Sequence, residues 1–188
     1  MKRSLVVGTV LFAGALAAGC SSSAPSGVTS THTSTSGAVT TTRTGTFTIH
    51  GDTTSTAQIR SNVTHIPVIT SGVVKAQHDN FPLGNSKSNK GTFKFQSGTL
   101  AVTHNKGVTH QKFSKAACSF TETNTGTYKV LGSTSTGAFK GATGHGNYMV
   151  TFYGKFKVVS GKCHAGQKAE PVSGKATFRA TGPLTVRV

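Results

Sequence analysis

The 188-residue chain has no tryptophan, two methionines and five prolines, and sets four acidic residues against 20 lysines and arginines. Each shortage excludes something. The acids are Asp52, Asp79, Glu122 and Glu170, and no aspartate pair stands among them. The HExxH and CxxC spacings of zinc sites are absent, and so is the GxSxG nucleophile turn. No metal and no cofactor is therefore expected. Within residues 44–188 helix signals are nearly absent: apolar residues seldom recur at i, i+3, i+4 and i+7, which argues against helical folds. Runs of like charge are also missing: the basic residues stand mostly singly among Thr, Ser and Gly. That pattern describes a solvated surface better than a groove. A binder of single strands would interleave exposed aromatics with its basic residues, so no specific nucleic-acid partner is expected.

The N-terminus carries the most specific signal. Lys2 and Arg3 precede the apolar stretch "SLVVGTVLFAGALAAGC". It is short, and rich in small residues, beside the about 20 apolar residues of a transmembrane helix. It fits the h-region of a secretory signal. Its end, Leu16-Ala17-Ala18-Gly19-Cys20, resembles a bacterial lipobox, although Ala17 stands where Leu is commonest. The resemblance implies a leader over residues 1–19, acylation of Cys20, and a protein held on the outer face of the cell membrane through lipid. The alternative is ordinary secretion with cleavage near Ala18. Residues 20–43, nearly all Ser, Thr, Gly and Ala, read as a flexible tether. A single domain is expected over residues 44–188.

Cysteine counting agrees with export. Acylation of Cys20 leaves Cys118 and Cys163 as one pair, and an oxidising compartment permits a disulfide between them. Closing a loop of about 46 residues stabilises by about 4 kcal/mol in the chain-entropy model. Of the 20 basic residues two lie in the leader, so the exported chain keeps 18 against four acids. Such a field favours anionic partners, here anionic lipids or envelope polymers.

Within the domain, Thr, Val, Phe and Gly alternate with period two in short runs. Strands are predicted near residues 46–50, 68–78, 92–96, 99–104, 119–123, 126–131, 146–153, 155–159, 175–181 and 184–188. "QSGT" reads as a hairpin turn and "HNKG" as a second turn. Strands spaced by roughly ten residues point to an antiparallel barrel or sandwich. The stretch "TGAFKGATGHG", residues 136–146, is rich enough in glycine to suggest a phosphate loop. It lacks the GK-Ser/Thr ending, and a strand pattern rather than a helix follows it. Its glycines read as turn positions and as points of close backbone approach.

The segments "GTLAVTH" and "KFSKAACSFTETNTGTYKVLGSTSTGAFKGATGHGNYMVTF" resemble the allene-oxide-cyclase/dirigent-like barrel proteins secreted by actinobacteria. The resemblance lies in Cys118, Phe120, Glu122, Gly126, Thr127 and Tyr128, and then in the TGAF-x-GATG-x-G-x-Y run from Thr136 to Tyr148. It spans residues 98–104 and 112–152 closely and the remainder loosely. It implies an all-β fold, an eight-stranded antiparallel β-barrel, with a central cavity. It implies no particular activity, because a fold hosts many functions.

Alternation assigns the faces. Leu100 and Val102 point inward, so His104 does too. Glu122 and Asn124 share the parity of Phe120, and Tyr148, Val150 and Phe152 line up against Met149, Thr151 and Tyr153. A buried Glu122 near His104 would make an acid–base candidate; otherwise the two are satisfied at strand ends or at a rim. Three functions follow. The first is a lipid-anchored barrel that binds a ligand or an envelope component without catalysis. The second is a cyclase or isomerase acting on an apolar small molecule inside the barrel. The third is a binder of polyanions or nucleic acid, resting on charge alone.

Overall fold

The computed structural model describes residues 29–35, 38–54, 64–74, 76–83, 89–165 and 169–188. The leader, Cys20 and the start of the tether lie outside these residues. The described chain is all-β. Its strands are β1 (Thr29–Thr35), β2 (Ala38–Thr53), β3 (Thr64–Gly72), β4 (His78–Leu83), β5 (Lys90–Phe95) and β6 (Gly98–His104). They continue with β7 (Val108–Ser114), β8 (Ser119–Val130), β9 (Thr143–Lys155), β10 (Val158–Val159), β11 (Lys162–Cys163) and β12 (Ser173–Arg187). β1 and the first residues of β2 fall in the stretch that composition reads as a tether.

Eight strands form one antiparallel sheet in the order β4-β3-β2-β12-β9-β8-β6-β5. The sheet curls until its two edges face each other, which makes it a nearly closed barrel. The seam is held by side chains. Asp79 Oδ2 accepts the Lys94 backbone N–H at 2.8 Å, and Phe81 stacks on Phe93 with ring centroids 4.1 Å apart. β1 extends the edge of β2 beyond β3, and β7 extends the edge of β8 beyond β6.

Two long strands replace pairs of predicted short ones. β8 runs through Asn124-Thr125, the gap between two predicted strands, and on through Gly126. Gly126 pairs with Tyr148 and Tyr128 pairs with Gly146. At each pair the tyrosine ring lies over the glycine, where a Cβ would collide with it. The aromatic covers the bare backbone and the ladder continues. β12 likewise runs through Gly182-Pro183. Proline cannot donate to a ladder, and the pairing with β9 skips both residues while keeping one register on either side. In the opposite sense, the predicted 68–78 strand divides: β3 stops at Gly72, whose φ of 103° demands glycine, and β4 starts at His78. β10 and β11 form a small hairpin whose two turn residues, Ser160 and Gly161, both have positive φ, the mark of a type I′ turn.

The glycine-rich stretch is a turn. Gly137–Phe139 make one 3₁₀ turn, Gly137 and Gly141 have φ of 57° and 71°, and a strand follows. The turn drives Phe139 into one end of the barrel, where it is fully buried against Phe47 and Phe95. Burial of a phenylalanine contributes about 2–3 kcal/mol. That end is plugged. Cys118 and Cys163 are joined, with Cα atoms 5.3 Å apart, and the bond fastens the β10–β11 hairpin to the start of β8.

Candidate functional site

Towards the other end the barrel holds a cavity of about 590 Å³. Its walls come from the inward parity of the strands. Ile49, Phe178 and Ala180 line one side, Phe81, Phe93 and Val102 the opposite side, and Val150 and Phe152 lie between. The inward assignments of Val102, His104, Glu122, Asn124, Tyr148, Val150 and Phe152 all match the lining. Met149, on the alternate face, is exposed.

Polar groups gather at one end: Lys90, His104, Lys106, Glu122 and Asn124. The turn between β6 and β7 organises them around Asn105. Its N–H donates to Thr127 O at 3.1 Å and its Oδ1 accepts the Thr127 N–H at 2.9 Å. Its carbonyl oxygen receives the Tyr148 hydroxyl at 3.0 Å and meets His104 Nδ1 at 2.9 Å. A carbonyl can only accept, so Nδ1 carries a proton and Nε2 is the acceptor of the neutral ring. The His104 ring also meets Tyr148 edge-on, with centroids 5.8 Å apart.

Glu122 is half-buried and accepts a hydrogen bond from Gln111 Nε2 at 2.5 Å. Asn124 donates from Nδ2 to Thr109 Oγ1 at 2.8 Å. Both partners belong to β7. Glu122 and His104 therefore line one cavity, each with its own neighbour as partner among the described residues. Burial pushes the Tyr128 phenol up to about 12 and moves Tyr148 in the same direction. Both hydroxyls stay neutral donors at ordinary pH. Among the described residues no three His, Cys, Asp or Glu side chains converge as a metal site would require.

Sequence reasoning missed Lys90, Asn105, Lys106 and Gln111. Asn105 and Lys106 sit in a turn, to which alternation assigns no face. Gln111 lies on β7, whose residues are exposed or nearly so along its whole length. A strand without a buried face leaves no period to read. An apolar chamber with hydroxyl, amide, imidazole, carboxylate and ammonium groups at one end suits a largely apolar molecule with one polar end. No family model, curated protein or solved structure matches the chain.

Proposed function

We propose that this chain is an exported, lipid-anchored barrel that binds an apolar small molecule in its interior without transforming it. The observation that carries the reading is the cavity of about 590 Å³, walled by aromatic and aliphatic side chains and polar at one end. The size falls in the range of small-molecule sites. The lipobox-like Leu16–Cys20 and the resemblance to allene-oxide-cyclase/dirigent-like barrels support export and a binding scaffold. Acylation of Cys20 predicts a diacylglyceryl mass increment that Cys20→Ala abolishes.

A dye titration tests the binding. N-phenyl-1-naphthylamine should brighten on entering the cavity. Val150→Phe places a ring into the chamber and is expected to weaken binding by about tenfold or more, with the strand content by circular dichroism unchanged. Equal binding by both proteins, or no binding by either, would remove the proposal.

A second reading is favoured by one observation. Glu122 and His104 line the same chamber, so an isomerase or cyclase would have an acid and a base at hand. Such an enzyme converts an apolar substrate without change of mass. His104→Asn and Glu122→Gln would then stop conversion while dye binding persists. Conversion that survives both variants excludes it.

A further inference from the structure

The exposed apolar side chains of the barrel are unevenly placed. Seven large hydrophobic residues are exposed among the described ones, and four of them lie at one end: Phe113, Val158, Val159 and Val172, at 50, 56, 40 and 50 %. Single exposed valines need no explanation; a cluster does. Backbone and ring contacts through Phe156, Lys155 and Cys118 place the four in one region of the surface. Phe113 packs on Phe156 with centroids 6.3 Å apart. The Phe156 N–H donates to Cys118 O at 2.8 Å, and the Val172 N–H donates to Lys155 O at 2.8 Å. Val158 pairs with Cys163, whose sulfur is bonded to Cys118.

Lysines surround the same cluster. Lys112 and Lys115 flank Phe113, Lys155 and Lys157 flank Phe156, and Lys162 faces Val159 across the hairpin. All five are exposed, against two neighbouring carboxylates among the described residues, Glu170 and the half-buried Glu122 that accepts from Gln111. An apolar tip inside a ring of ammonium groups has the composition of a surface that enters the boundary between lipid headgroups and acyl chains. A polyanion would use the lysines and leave the valines and Phe113 in water. A second copy of the chain would bring like charges together. The disulfide and the type I′ turn hold the tip in one shape, so docking needs no ordering step.

From this geometry we infer that the end of the barrel built by Phe113, Val158, Val159 and Val172 docks on an anionic bilayer surface. The inference stands without Cys20 and without any ligand in the cavity. One corollary rests on the binding reading above. Glu122 lies two residues along β8 from Phe120, and Phe152 two residues along β9 from Gly154, beneath the aromatic cluster. The polar end of the cavity thus lies towards the docked end, where an apolar molecule could pass between lipid and barrel.

The absence of tryptophan makes the test direct, since one introduced indole is the sole reporter. Full-length Cys20→Ala chains carrying either Val158→Trp or Val188→Trp are mixed with phosphatidylglycerol–phosphatidylcholine vesicles. Val188 is 64 % exposed and lies at the far end of β12. The expected result is a blue shift of the Val158→Trp emission with these vesicles, no shift with pure phosphatidylcholine, and none at Val188→Trp. In addition, Lys157→Gln and Lys162→Gln lower vesicle partition roughly fivefold per lysine removed, whereas Lys140→Gln at the plugged end does not. Any of four results overturns the inference. These are no shift, equal shifts at both tryptophans, the same shift with dextran sulfate alone, and a concentration-dependent shift without vesicles, which would assign the surface to a second copy.

Discussion

Tyr128 and Tyr148 sit in one chamber under opposite constraints. The Tyr148 hydroxyl reaches Asn105 O, and its ring covers Gly126. Tyr128 covers Gly146 and is buried deeply enough that its phenol is pushed up to about 12. A phenol in the unfolded chain ionises near 10. Between these values the unfolded state releases its proton first. The contribution of Tyr128 is therefore complete below pH 10 and is lost as pH rises to 12, about 2–3 kcal/mol across the window. Urea titrations at several pH values check this: Tyr128→Phe should flatten the alkaline decline relative to the parent. A parallel decline in both proteins would show that other groups, lysines above all, govern it.

At the scale of the element, the strands that alternation reveals are those with one buried face. β5, β6, β8 and β9 read well, and with them the inward placement of His104, Glu122, Asn124 and Tyr148. β7 is exposed, β4 contains Pro82, and β1 is Thr and Ser except for His32; none offers a period. The partners of Glu122 and Asn124 were illegible for that reason, because both stand on β7. The cysteine pair was legible by counting, since three cysteines less Cys20, expected to be acylated, leave two. Its consequence belongs to this scale as well. The bond ties the β10–β11 hairpin to β8 across 45 residues of sequence. Cys118→Ser with Cys163→Ser should cost about 4 kcal/mol by loop entropy. Amide exchange should then quicken first at residues 155–164. An unchanged melting temperature together with unchanged exchange would mean that packing of Phe113, Phe120 and Phe156 holds the hairpin alone.

At the scale of the whole molecule, the barrel is a sheet whose edges must be prevented from parting. Ten predicted strands with antiparallel spacing implied a barrel or a sandwich, and nothing in alternation chooses between them, because closure depends on which two strands end at the edges. Here those strands are β4 and β5, and the bond across them comes from a carboxylate. Asp79 accepts the Lys94 N–H with Oδ2 and the Asn80 N–H with Oδ1. Charged acceptors of this kind contribute about 1.5–3 kcal/mol. Phe81, which stacks on Phe93 just inside the seam, is also part of the cavity wall, so the seam and the chamber are mechanically one feature. Asp79→Ala should lower stability by that amount. It should also speed amide exchange at Lys94 while leaving the β8–β9 and β9–β12 ladders protected, and it should weaken dye binding as Phe81 loosens. Global loss of protection, equal in every strand, would show instead that the seam opens only when the whole barrel unfolds. Binding would then be limited by the rigid chamber, with no contribution from its edge.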